Sequence, residues 1–322
     1  MRILKAILAA SLFVLVPGPA FAQDDYRRKV IRIVVPYGAG GSTDVLTRIV
    51  AQKLTERLGR SVIVENRAGA NGIIGADLVA KSAPDGYTFL AASNGQVVNV
   101  VLKSDMPYDL VRDLVPVVNM AVMPNVLGVH PSQPMKSLKD VVDAARAKPG
   151  ALAYAHAGIG SSQHIAGEIL RMAARIDIRQ VSYKGGGPAV ADALGGHVPL
   201  VVAGLPAIAQ HAKSGALRAV AITGAKRSPQ LPDVPTMQEL GYVNNEVFWI
   251  GLVAPRGVPQ AVINRINAEV NAVLKNPEVV EQFAKQGAEV TGGSAQEFDA
   301  FLRRELDAAA KIVKEANIKQ AQ

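Results

Sequence analysis

Residues 30–66 read VIRIVVPYGAGGSTDVLTRIVAQKLTERLGRSVIVEN. Val30 to Pro36 is a short apolar run rich in β-branched residues, which argues a buried strand. A turn bearing three glycines follows. Thr43 to Gly59 then carries apolar residues at helical spacing and closes on a glycine, the usual stop signal of a helix. Ser61 to Asn66 returns to a strand pattern. Strand, helix and strand in this order make a βαβ unit, whose two strands run parallel because a crossover helix joins them.

Working outward, the alternation repeats. GIIGADLVAKS (72–82) reads as a helix stopped before Pro84, and YTFLAAS (87–93) as a third strand. A second series begins at SLKDVVDAARAKPG (137–150), a helix with a serine cap and a Pro-Gly stop. It continues through the strand patterns ALAYA (151–155), RQVSY (179–183), VPLVVAG (198–204) and LRAVAITG (217–224), with helical patterns at 161–175, 187–197 and 205–215. Two series imply two lobes, each an open α/β layer of parallel strands covered by helices. The apolar segments 114–130 and 246–255 lie at the borders of the series and read as two strands that cross between lobes. Three amphipathic helices, at 259–276, 277–287 and 294–317, follow the second crossing and pack back on the first lobe. The expected organisation is residues 1–22 as a leader, 23–124 and 247–322 as lobe 1, and 125–246 as lobe 2. That is a two-lobed α/β fold with two crossover strands and a cleft between lobes that can close on a ligand.

The leader carries Arg2 and Lys5, an apolar stretch from Ile7 to Val16, and Ala20-Phe21-Ala22 as a small-x-small cleavage site. Its apolar run is too short to span a membrane, so it reads as a secretory signal cut after Ala22, with the mature chain in the periplasm. The 322-residue chain has no cysteine, which excludes thiolate catalysis and zinc–thiolate sites. Losing Arg2 and Lys5 lowers the formal charge from +8 to 33 − 27 = +6. The basic residues are scattered rather than clustered, so no nucleic-acid partner is expected.

Two stretches carry the chemistry. In the first lobe, Tyr37, Gly38, Ala39, Gly40, Gly41 and Asp44 belong to a turn that opens a helix; in the second, His156, Gly158, Gly160, Ser161 and Ser162 do the same. Glycine lets the backbone aim N–H groups at a ligand, and a helix N-terminus adds partial positive charge. Two such loops face to face would clamp the carboxylate of a small organic anion. Ser93 and Asn94 lie just past a strand end, where open α/β sheets present groups to ligands. Other residues keep two readings each. Asp44 either meets the ligand or stabilises its own helix, Arg67 either pairs with the anion or ties loops together, and Trp249 either packs in the core or stacks on the ligand. Asp85-Gly86 is a turn, and the Gly-Gly-Gly-Pro run at 185–188 is either a tight turn or a donor of N–H groups.

No dinucleotide fingerprint, phosphate loop, nucleophile elbow or HExxH motif occurs. Neither a cofactor nor a metal is expected. A hydrolase built on Ser161, His164 and an unidentified acid lacks any further support.

Several blocks in this order resemble the receptors of tripartite tricarboxylate transporters, the Bug family of extracytoplasmic solute-binding proteins. They include IRIVVPYGAGGSTD, ENRAGANGIIGADLVAKSAPDGYT, YAHAGIGSSQHIAGE, VSYKGGGPAVADALGGHV, RSPQLPDVPTMQELGY and WIGLVAPRGVP. The resemblance implies a venus-flytrap receptor of the two-lobed periplasmic binding type that binds a mono- or dicarboxylate and delivers it to membrane permease subunits, and a monomer is expected. It also implies that backbone N–H groups from Tyr37–Asp44 and His156–Ser162 hold the carboxylate. A sensor that presents its ligand to a signalling partner is the alternative. Two departures suggest an altered ligand: His156 stands where the family has a small polar residue, bringing a group that could be charged, and Pro199 stands where it has an aspartate near the cleft floor.

Overall fold

The structure is a computed structural model and describes residues 29–183, 185–244, 246–316 and 318. The expected leader lies outside them. The opening unit forms as its sequence reads: β1 (Ile31–Val35), α1 (Ser42–Leu58) and β2 (Val62–Asn66), with β1 and β2 parallel. Leu46, Val50 and Leu54 recur every four residues of α1 and are buried in one cluster with Ile31, Ile33 and Val35 of β1. Gly59 ends the helix at φ 64°, a left-handed conformation that glycine adopts without strain.

Next come α2 (Ile73–Ala80), β3 (Thr88–Ser93) and α3 (Asn94–Leu102). Helix α3 is absent from the pattern reading because its valines favour strands. A capping box starts it nonetheless: the Ser93 backbone N–H donates to Oε1 of Gln96 at 2.8 Å.

The 16-residue β4 (Leu114–Val129) joins the two halves. Beyond it lie α4 (Leu138–Ala147), β5 (Ala153–His156), α5 (Ser162–Ala174), β6 (Arg179–Ser182), α6 (Gly186–Leu194), β7 (Leu200–Gly204), α7 (Leu205–Lys213) and β8 (Arg218–Ile222). The chain returns through β9 (Val247–Pro255), α8 (Gln260–Leu274), α9 (Pro277–Lys285), β10 (Glu289–Gly292) and α10 (Ala295–Glu315). Strand order is β2-β1-β3-β9-β4-β7-β5-β6, with β10 and β8 also paired to β4.

Up to Pro124, β4 pairs with β9 and β10; from Asn125 it pairs with β7 and β8. Proline has no N–H to give the ladder, so Pro124 is a natural place for the strand to change partners. Strand β9 pairs along its length with β3 and the first part of β4, so the return passage is completed in the residues before Val247. Asn244 and Glu246 fasten it there: Asn244 donates to the carbonyl of Ala166 in α5, while Glu246 accepts from Asn94 in α3.

The sheets are less uniformly parallel than the alternation predicts. β1–β2, β1–β3, β5–β6 and β5–β7 are parallel, whereas every ladder of β4 and β9 is antiparallel. The C-terminal helices return to the first sheet as expected, with Phe298, Leu302 and Ala309 of α10 in one buried cluster with Val34, Leu90 and Val253. Trp249 sits in that cluster, edge-on to Phe298 and Phe301, so it is a core residue. No helix among the described residues is long and apolar enough to cross a membrane.

Candidate functional site

A cleft of about 580 Å³ opens between the two sheets, and residues just past the C-terminal ends of β1, β3, β5, β6 and β7 wall it. This is where open α/β sheets carry ligand sites. Five helices begin on it: α1 through Gly41, Ser42 and Thr43, α3 through Ser93, Asn94 and Gly95, α5 through Ser161, Ser162 and Gln163, α6 through Gly186 and Gly187, and α7 through Gly204 and Pro206. Each helix N-terminus contributes partial positive charge from N–H groups that have no intrahelical partner. In α1, α6 and α7 the residue before the first turn is glycine and no side chain caps the helix, so these amides stay open to a ligand. None of the described residues on the wall has a charged side chain. Met123 and Phe248, flanking the place where β4 changes partners, supply an apolar surface.

The first loop is rigid behind its face. Gly40 takes φ 81° and donates its N–H to the Asp44 carboxylate at 2.9 Å. Arg48 and Asn66 also donate to that carboxylate, at 3.0 and 2.9 Å. Burial works to raise the pKa of Asp44, but the bonds from Arg48, Gly40 and Asn66 outweigh it and hold the carboxyl below its ordinary value. Asp44 is therefore spent on its own loop and is not on the cleft wall. Tyr37 is on the wall and tied from behind: its hydroxyl is 2.9 Å from the Ser93 hydroxyl and accepts from Gln96 at 3.3 Å. A Cβ on Gly95 would stand 2.3 Å from the Tyr37 hydroxyl, so only glycine permits this approach.

The second loop is backed by two stacked imidazoles, His156 and His164, with ring centroids 4.6 Å apart. His156 is fully buried and turned away from the cleft toward Gln180, whose Oε1 lies 2.6 Å from its Nε2. Burial lowers the pKa of both histidines, that of His164 to about 3, with the neighbouring His156 adding to the effect. The expectation that position 156 brings a chargeable group into the pocket is corrected on this ground. Ser161 caps α5 by accepting from the His164 N–H at 3.2 Å, and Nδ1 of His164 accepts from the Gly160 N–H at 3.2 Å. Both groups of the imagined hydrolase are thus turned to holding the loop. Ser162 differs: the residue is buried at 1% exposure, its hydroxyl has no hydrogen-bond partner among the described residues, and it lines the cleft.

Of the residues singled out in the sequence, Tyr37, Gly40, Gly41, Ser93, Asn94, Ser161 and Ser162 are brought together on the wall. Gly38, Ala39, Asp44, His156, Gly158 and Gly160 stand behind it or beside it, shaping the loops. Pro199 is at the other end of β7 from Gly204, roughly 16 Å from the cleft at ~3.3 Å per residue, and its carbonyl accepts from the His130 N–H at 3.0 Å. Arg67 pairs with Glu65 on the surface, and Asp85 accepts from the Tyr87 N–H in a turn. Sequence reading left out Met123, Gln163, Gly204, Pro206 and Phe248, and did not single out Asn71; the glycine-started helices at 186 and 205 were its available signal. A second concavity, about 490 Å³, lies on the second lobe beside Lys213 and Arg218 and has none of the glycine loops.

This fold and this site define a two-lobed binding protein of the periplasmic type. The family model described as "Tripartite tricarboxylate transporter family receptor" matches residues 46–318, and the chain belongs to that family of solute-binding receptors. It is similar to the protein BugT of Bordetella pertussis, 37% identical over 99% of both chains. Among solved structures it is similar to Rpa4515 of R. palustris with adipate, at 34% identity and TM-score 0.82, covering 91% of this chain and 99% of that one. It is also similar to MatC of Rhodopseudomonas palustris with bound malate, at 28% identity and TM-score 0.77, covering 88% and 98%.

Proposed function

We propose that this chain captures a mono- or dicarboxylate in the cleft between its lobes and hands it to membrane permease subunits. The observation that carries the reading is the set of uncapped, glycine-started N-termini of α1, α6 and α7 on one cleft that has no charged side chain among its described residues. Such a site prefers an anion, and backbone N–H groups suit carboxylate oxygens. The adipate and malate of the two similar structures have that chemistry. Contacts come from Gly41, Ser42 and Thr43 on one side and from Ser162, Gln163 and Gly186 on the other, with Met123 and Phe248 against the carbon chain. Lobe boundaries at 124/125 and 246/247 serve as the hinge, because there β4 changes sheets and the return segment is tied to both halves. The receptor works as an exported monomer, cut after Ala22, and carries out no chemistry on its ligand, since Ser161 is engaged in capping α5 and His164 in holding the Gly160 N–H.

Calorimetric titration of the mature protein with adipate and with malate tests this. One molecule per chain is expected, with a smaller radius of gyration at saturation. At 100 times its dissociation constant a ligand should stabilise by ~2.7 kcal/mol. Absence of heat and of any thermal shift with both acids, and with a panel of other organic acids, would overturn it.

A further inference from the structure

At the cleft, two buried polar side chains have no partner among the described residues. Asn125 is fully buried, and neither its Oδ1 nor its Nδ2 is hydrogen-bonded there. The hydroxyl of Ser162 is in the same condition. The Asn125 backbone, by contrast, is satisfied: its N–H donates to the Thr223 hydroxyl at 2.9 Å and its carbonyl accepts from the Thr223 N–H at 2.8 Å. Only the side chain is left over. An unpaired buried amide costs stability, so its retention beside a ligand cleft points to a use.

Strand register brings the two groups to one layer. From Asn125 to Val129, β4 pairs without interruption with β7, and Asn125 lies directly opposite Gly204. Side chains alternate along a strand, so Leu127 and Val129 share the face of Asn125. They are buried in one cluster with Leu200 and Val202 of β7 and with Ala166 and Leu170 of α5. Ser162 stands one helical turn before Ala166 on that side of α5. Asn125, Gly204 and Ser162 therefore make the layer nearest the cleft, with apolar layers behind it. Gly204 and Ser162 both line the cleft. Apart from its chain neighbours, the nearest atoms to a Cβ on Gly204 would be the Met123 sulfur and Cδ of Pro206, each at 3.8 Å. One further atom fits there, and the φ of −58° does not itself demand glycine.

We propose that Asn125 and Ser162, reached over Gly204, form a polar notch that takes a hydroxyl group of the ligand and makes the receptor selective for hydroxycarboxylates over unsubstituted acids. The inference rests on the carboxylate reading of the cleft. A neutral hydroxyl suits the notch, because it can donate to Oδ1 of Asn125 while accepting from Nδ2 or from the serine. A carboxylate suits it poorly, since it can only accept, would leave Oδ1 unpaired and would bury a charge. The ligand's carboxylate stays with the helix N-termini. An acid without the hydroxyl leaves the amide unpaired, which is how a hydrogen-bonding site rejects it.

Calorimetric titration with two matched pairs tests this: malate against succinate, and 2-hydroxyadipate against adipate, the members of each pair differing by one hydroxyl. In the wild type the hydroxy acid of at least one pair should bind at least ~tenfold more tightly than its partner. Asn125→Leu keeps the volume and removes the polar atoms, and should bring that pair to within about twofold of each other. Gly204→Ala should do the same by filling the entry while both polar side chains remain. Without ligand, Asn125→Leu should melt no lower than the wild type, because the lost amide had no partner to leave behind. Equal affinities within both pairs in the wild type, or a preference that survives Asn125→Leu, overturn the proposal. A clear drop in the melting temperature of Asn125→Leu also overturns it, since the amide would then be satisfied inside the fold. If none of the four acids nor any other organic acid binds, the carboxylate reading falls and takes this inference with it. Unsubstituted acids that bind as well as their hydroxy partners overturn this inference alone.

Discussion

The two glycine loops look alike in sequence and are built on different electrostatics. Behind the first, a buried carboxylate, Asp44, gathers the N–H of Gly40, the guanidinium of Arg48 and the amide of Asn66. Behind the second, two buried imidazoles stack and are held neutral. The first loop faces the cleft with bare amides of an uncapped helix; the second belongs to a capped helix and adds a buried hydroxyl from Ser162 that has no partner among the described residues. Both arrangements satisfy the polar groups of the loop while keeping net charge off the cleft wall. An anion then meets oriented dipoles that need no rearrangement.

The largest effect is expected at Gly41. Its φ of −73° is ordinary, and an added Cβ would meet only the Gly38 carbonyl at 3.6 Å. A valine there fits the backbone, and its branches occupy the ligand face. Gly41→Val should lose adipate affinity at least ~tenfold, from charge-assisted bonds worth ~1.5–3 kcal/mol each. Valine is a poor helix cap, so a stability loss of ~1 kcal/mol accompanies it. Titration beside a thermal melt separates the two, and undiminished binding would move the anion away from the first loop.

The second loop should show its character in acid. The histidine pKa values lie below that of an unfolded chain, near 6.5, so the unfolded state takes up protons first as pH falls. Stability is full above about pH 6.5 and declines below it, down toward the folded value of about 3 for His164, by up to ~1.4 kcal/mol per pH unit for that group. His164→Gln should flatten this decline in melting curves taken between pH 7 and 4. An unchanged slope would mean that the stack does not supply it.

Asp44→Asn tests the first loop in the opposite window. The lowered pKa gives stability that is present above the unfolded value of about 3.8 and is lost as pH falls through the lower folded value. Near pH 7 the substitution should cost ~1–3 kcal/mol, the range for a buried charged hydrogen-bonding group. The difference from wild type should vanish in strong acid. A persistent difference at low pH would point to packing rather than charge.

The smallest effect belongs to Arg67, outside both loops. Its exposed pair with Glu65 should be worth under ~1 kcal/mol. Arg67→Ala is expected to leave adipate affinity within about twofold. A larger loss would return Arg67 to the site.

Much of the architecture is local in origin and could be read directly. Period-four apolar residues define α1, Gly59 stops it, Ser137 and Ser294 cap α4 and α10, and short β-branched runs define β1 to β3. The capping box of Ser93 and Gln96 was equally present and was obscured by the valines behind it. These signals survive in a single sequence because they act within a few residues of each other. The antiparallel ladders of β4, the outward turn of His156, the capture of Asp44 by Arg48 and Asn66, and the arrival of Gly186, Gly204 and Phe248 on one wall are different. Apart from the i,i+4 pair of Asp44 and Arg48, they join residues tens or hundreds apart, and the sequence carries no mark of which side of a loop a side chain will take. The pattern therefore determined the elements and the glycine turns. Only tertiary packing decided which of their residues face the ligand, because that depends on how two sheets share one strand at Pro124 and on what lies behind each loop.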